Sequence, residues 1–153
     1  MDGSTRRRIA KALLAAADQI APKKGGYAAV VLDDSSRRQL LSWWEKHVGT
    51  PLHSNVLAHH MTLKFNPSAD DLSILPLGDK VVLRVTGWAA DDKSQVVRVK
   101  AAAKSANAVP HVTVAIAPGV KPVYSNELLQ KQVTSVHGPD LTGTIAYVTP
   151  KGV

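Results

Sequence analysis

The sequence predicts an α+β fold, and three observations carry that expectation. Strand-like and helix-like segments intermix without the regular alternation of a parallel α/β sheet. Two long alternating stretches, DKVVLRVTGWAAD (79–91) and SQVVRVKAAA (94–103), are separated only by a tight polar turn at Asp91–Lys93, the pattern of an antiparallel hairpin. No low-complexity tract or fixed-period repeat interrupts the 153 residues, a length that suits one domain or two small lobes sharing a core.

Taken in order, Ile9, Ala12, Leu13, Ala16, Ala17 and Ile20 recur at helical spacing and define one apolar face. Arg6, Arg7, Arg8 and Lys11 crowd its first turns, so residues 1–24 are expected to form a basic amphipathic helix packed on the domain. Pro22 and the run Lys23–Gly26 break it. YAAVVL (27–32) reads as a buried strand. Asp33, Asp34 and Ser35 offer caps for a helix over about 35–48, with Leu40, Leu41, Trp44 and Val48 inward and Gly49 and Pro51 ending it. HMTLKF (60–65) is a short strand followed by the polar loop NPSADD. After the hairpin come the loop KSANAVP, the strand HVTVAIA (111–117), a short helix SNELLQKQV (125–133) and a closing strand LTGTIAYVT (141–149).

Composition narrows the chemistry. Hydrophobic residues make up 44% and charged residues 20%, ordinary values for a folded domain. No apolar run approaches the ~18 residues a membrane span needs, and the polar N-terminus does not read as a secretory signal. A cytoplasmic setting is therefore expected. With no cysteine, disulfides, thiol nucleophiles and Cys-containing zinc sites drop out. The net charge of +7 lies at the ends: residues 1–24 carry +4, residues 91–153 carry +3, and the middle is balanced. An anionic partner fits this, and so does simple solubility.

The informative feature is a pattern written twice, His60-Met61-Thr62-Leu63 and His111-Val112-Thr113-Val114. Residues i and i+2 of a strand share a face, so each copy presents an imidazole and a hydroxyl together while the aliphatic residues go to the core. If the two strands are neighbours, two imidazoles and two hydroxyls line one groove. That set suits phosphodiester hydrolysis without a metal. One neutral imidazole deprotonates water, a protonated one protonates the leaving oxygen, and the threonines hold the non-bridging oxygens. His60, Thr62, His111 and Thr113 are the candidate catalytic residues.

These residues carry a resemblance. The paired strands resemble the 2H phosphoesterase superfamily, and their surroundings resemble its 2′,3′-cyclic-nucleotide 3′-phosphodiesterase group, which includes the vertebrate myelin enzyme and the phosphodiesterase domain of fungal tRNA ligases. HMTLKF is similar to that group's His-x-Thr-x-Lys-Phe motif, and PHVTVAIAPGVKPV to its second motif; YAAVVL and GTIAYVT also have counterparts. The likeness covers roughly residues 25–150. It implies a bilobal fold, two antiparallel sheets flanked by helices around a central groove, in one domain over residues 1–153. It also implies hydrolysis of 2′,3′-cyclic phosphates of nucleotides or RNA 3′ ends to 2′-phosphates, with no cofactor, by a monomer. By motif match His60 is the acid and His111 the base. Phe65 stacks on the base of the substrate opposite Pro122 and Val123, and Tyr27 stands near the phosphate. Vertebrate members place an Arg two residues before the second His, where this chain has Val109.

Other readings weigh less. His47, His53 and His59 are spaced by six and match no metal motif. His59, next to His60, is expected to face the other way at the surface or core edge. Trp43, Trp44 and Trp88 read as core or core-edge. Two rival functions remain: the same fold acting on cyclic di- or oligonucleotide signals or another phosphoester, and a non-catalytic basic RNA-binding module.

Overall fold

The computed structural model describes residues 22–150 apart from 104 and 106. The expected helix over residues 1–24 falls almost wholly outside them. The strands are β1 (Tyr27–Leu32), β2 (Asn55–Val56), β3 (His60–Phe65), β4 (Lys80–Ala90), β5 (Ser94–Lys100), β6 (His111–Ile116), β7 (Thr134–Ser135) and β8 (Asp140–Val148). The helices are α1 (Asp34–Trp43), extended by a π-helical turn at Trp44–Val48, α2 (Ala69–Ser73) and α3 (Tyr124–Lys131).

The architecture corrects the sequence expectation of a helix-flanked, bilobal pair of sheets. Neighbours run β6-β3-β1-β8-β4-β5, and β5 pairs again with β6, so six antiparallel strands close into one barrel. Two short strands are additions: β2 pairs with β6, and β7 with β4. Closure follows from Ser94–Arg98 running against His111–Ile116, which joins the edges that two separate sheets would leave open. Among the described residues helices are few, and the fold is mostly β where α+β was expected.

The barrel is filled from every wall. Val30, Met61, Leu83, Val97, Val112, Leu141 and Ile145 belong to one buried cluster, onto which α1 packs Leu40 and Trp44. The Trp44 ring meets Trp88 edge-on at 5.8 Å, and Trp43 packs against the same cluster, so all three tryptophans lie in or against the core as expected. The π-helical turn ends at Gly49, whose φ of 78° suits a residue without a side chain; its N–H reaches Trp44 O at 2.8 Å. A second apolar cluster, Ala89, Val96, Leu128 and Leu129, seats α3 against β4 and β5.

Local signals failed in two places. Asp33 holds the N-cap position of α1, yet its carboxylate takes Lys80 Nζ at 3.1 Å instead of capping the helix. The stretch NPSADD contains the start of α2, closed by a reciprocal cap: Asp71 N–H donates to Ser68 Oγ, and Ser68 N–H to the Asp71 carboxylate.

Candidate active site

Two walls of the barrel meet at β3 and β6, and their seam has a single registered pair, Met61 opposite Val112. Both side chains are fully buried in the core. Alternation along each strand therefore turns His60, Thr62, His111 and Thr113 to the outer face. Carrying the antiparallel register one residue either way sets His60 across from Thr113 and Thr62 across from His111. Each imidazole faces the other motif's hydroxyl, and the local arrangement has two-fold pseudosymmetry.

The flanking strands repeat that symmetry. On one side Thr62 pairs with Ala29 and His60 with Val31 of β1; on the other Thr113 pairs with Val96 and His111 with Arg98 of β5. Each motif strand carries a bulge at its fourth position, where Leu63 and Val114 have no partner in these registers. Bulges re-aim the side chains beyond them. In a regular strand Phe65 would alternate inward with Met61 and Leu63. The bulge pairs it with Tyr27 instead, on the histidine face, where it is 61% exposed.

Each catalytic candidate is held by identifiable contacts. The Tyr27 ring stacks on His60 with centroids 4.6 Å apart. His59 Nδ1 lies 2.9 Å from His60 Nδ1. On the second strand, His111 Nδ1–H donates to the carbonyl of Val109 at 2.8 Å, which leaves Nε2 of a neutral ring as an acceptor. Thr113 Oγ1 lies 2.9 Å from Ser125 Oγ, and Ser125 Oγ lies 2.9 Å from Ser94 Oγ. Both serines are fully buried, so this chain of hydroxyls fixes the Thr113 rotor. Thr62 is steadied through its backbone, where its carbonyl accepts Ser105 Oγ–H at 2.7 Å.

The electrostatics favour neutral rings at both histidines. Burial pushes His60 down to about 4, and positive charge on His59 or His111 pushes the same way. His111 is also lowered by burial, but its bond to the Val109 carbonyl resists the shift. Burial raises the Tyr27 hydroxyl, keeping that ring neutral.

The structure thus gathers Tyr27, His60, Thr62, His111 and Thr113, with Phe65 beside Tyr27. Pro122 and Val123 are exposed and come just before α3, whose Ser125 touches Thr113. His47 and His53 go to separate places: one stacks on Trp43, and the other bonds the Asp91 carbonyl. His59 is exposed at the surface as expected, but its ring turns toward His60, because it precedes β3 and is not bound by strand alternation. Ser94 and Ser125 were missed, since nothing in a turn serine or a helix-start serine signals a shared partner 12 or more residues away. Arg98 was missed as a neighbour of His111; its guanidinium is held by Thr86 at 3.0–3.1 Å and by Ser135 at 3.3 Å.

The sequence that builds this geometry matches a known kind of domain. The family model of the fungal tRNA ligase phosphodiesterase domain matches residues 35–150. The chain belongs to that family, a 2H phosphoesterase-type domain of RNA processing. In fold it is similar to the crystal structure of a fungal RNA kinase, with a TM-score of 0.62 and 15% identity over 84% of this chain. The match takes in 46% of that protein, so this chain spans less than half of its length. A comparison with curated proteins gives no match.

A titration follows from the buried site. His60 is depressed to about 4 in the folded protein, against about 6.5 when unfolded. Above pH 6.5 both states are neutral and nothing is lost. As pH falls from 6.5 toward 4 the unfolded chain takes up the proton first, and stability declines by about 3 kcal/mol before levelling off. Urea unfolding at pH 7.5 and 4.5 measures this. The decline is expected to shrink in His60→Gln, and an unchanged decline would place the sensitivity elsewhere.

Proposed function

We propose that this domain hydrolyses 2′,3′-cyclic phosphates of nucleotides or RNA 3′ ends to 2′-phosphates, using two histidines and needing no metal. The observation that supports the reading is the Met61–Val112 register, from which two imidazoles and two hydroxyls fall on one face of the β3–β6 seam. The phosphorus sits between the rings. His111 Nε2 takes a proton from water, whose oxygen attacks phosphorus. The bond from phosphorus to O3′ breaks, and His60 Nε2–H protonates O3′, leaving the phosphate on O2′. Thr62 and Thr113 donate to the non-bridging oxygens as charge develops on them. Ser125 supports this by donating to Thr113, so that the Thr113 hydroxyl hydrogen is free for the phosphate.

The proton preferences of the empty groove favour His111 over His60 as the first to be charged. The competent form is therefore a minority until an anionic phosphate enters and favours the cation at His60. The pH optimum of kcat/KM, set by free protein, is expected on the acid side of 6.5. That of kcat, set by the complex, is expected nearer neutrality. Coincident optima would argue against phosphate-driven protonation.

Phe65 and Tyr27 offer an exposed aromatic edge beside the groove, suited to a base read loosely because every base has a π-face. Phe65→Ala is expected to raise KM for 2′,3′-cyclic AMP by about tenfold with kcat nearly constant, since stacking is worth about 1–3 kcal/mol per base. A lowered kcat at unchanged KM would move Phe65 out of the binding role. The experiment that tests the function is product identification from 2′,3′-cyclic AMP, where 2′-AMP is the expected product and 3′-AMP the contrary one.

A further inference from the structure

The His60 ring is gripped on its face by Tyr27 and at its edge by His59, whose ring stands 80° to it with centroids 5.1 Å apart. The backbone of His59 is pinned as well, because its carbonyl accepts Leu32 N–H at 2.8 Å. Two imidazoles meeting Nδ1 to Nδ1 at 2.9 Å share one hydrogen: one ring donates and the other accepts. An acid at His60 is an imidazolium with a hydrogen on both nitrogens. Its Nδ1–H then points at His59, whose Nδ1 must be bare.

We propose that His59 is a positioning residue for His60: its Nδ1 lone pair accepts Nδ1–H of the His60 imidazolium and keeps Nε2–H aimed at the leaving oxygen. This rests on the acid role given to His60 above. When the Nε2–H bond breaks and O3′–H forms, His60 is left as the neutral Nδ1–H tautomer. It still donates to His59, so neither ring has to turn. His60 Nε2 regains a proton from solvent, and His111 releases to solvent the one it took from water. The bond also offsets the bias of the empty groove, in which His111 gains the proton more readily. The charged and titratable groups facing this pair are Tyr27 from β1, His111 from β6 and Arg37 from α1, whose positive charge bears on His59 and favours its neutral form.

The test compares His59→Ala and His59→Asp with the unaltered protein on 2′,3′-cyclic AMP, with thermal melting to confirm folding. His59→Ala is expected to lose about 10- to 100-fold in kcat, the worth of a hydrogen bond to a charged group. KM should stay within about twofold, and the kcat optimum should move to lower pH. His59→Asp restores an acceptor, so kcat should recover and the optimum should move up. In the unaltered protein bound to 2′-AMP, a 15N–15N coupling between the two Nδ1 atoms should be visible by NMR. Unchanged kcat and pH profile in His59→Ala would overturn the proposal. So would turnover without that coupling, or an Asp variant as impaired as Ala. Coupling without any turnover of cyclic phosphate would instead overturn the substrate reading on which the proposal stands.

Discussion

Alanine at His60 or at His111 is expected to lower kcat for 2′,3′-cyclic AMP by about 10²–10⁴-fold, with KM little changed. In the proposed mechanism each ring supplies one proton transfer, and that is the range a positioned acid or base contributes. The double variant should fall well short of the product of the two losses, because both groups act in one transition state. Single-turnover rates with purified variants measure this directly. His111→Ala has a second expected signature: the acid limb of the profile should flatten, since no base remains to be protonated there. If both single variants turned over near the normal rate, the groove between β3 and β6 would not be the reacting centre.

The next largest effect is on stability. Met61 and Val112 form the one registered pair across the seam, and both are fully buried. Met61→Ala is expected to lower the unfolding free energy by about 2–5 kcal/mol, the usual range for emptying a large apolar side chain from a packed core. Urea denaturation reads the loss as a lower midpoint at constant slope. Because the same pair sets the cross-strand register of the four catalytic candidates, the fraction still folded should also lose kcat. A variant destabilised to that extent with full kcat would mean that the site is held by its flanking strands instead. Those flanks are β1 against β3, and β5 against β6.

Much of the site was legible because its signal is local. A His and a Thr two residues apart on a strand must share a face, and writing the pattern twice made the pairing of two strands worth expecting. YAAVVL, HMTLKF and HVTVAI fall on β1, β3 and β6 with matching starts. What the residues could not carry was the identity of strand partners. Val96 and Val97 are buried on opposite faces of β5, in separate clusters, and nothing in that apolar run says that β5 closes onto β6, so a barrel looked like open sheets. The bulges at Leu63 and Val114 are equally silent, and the first of them decides where Phe65 points. His59 lies at the surface as expected, but its facing was misread for the opposite reason: strand alternation was applied to a residue one position before the strand begins. The hydroxyl chain from Thr113 through Ser125 to Ser94 depends on tertiary packing, which no short window contains.

The Val109 position illustrates how a departure from a family pattern can be absorbed. A side chain that could reach a phosphate is missing there, yet its carbonyl fixes the His111 tautomer, a role any residue type can fill. Arg98, beside His111 in register, does not take over the missing charge, because its guanidinium is committed to Thr86 and Ser135. In the proposed mechanism phosphate recognition then falls to hydroxyls and to the transient imidazolium. Such a site is expected to bind its product weakly and to depend on pH more than on salt.

The most direct test of the two-histidine account is incubation of the protein with 2′,3′-cyclic AMP in excess EDTA, with the product resolved by chromatography. The account predicts 2′-AMP at the same rate with and without chelator. Complete loss of turnover in EDTA, or 3′-AMP as the product, would contradict it.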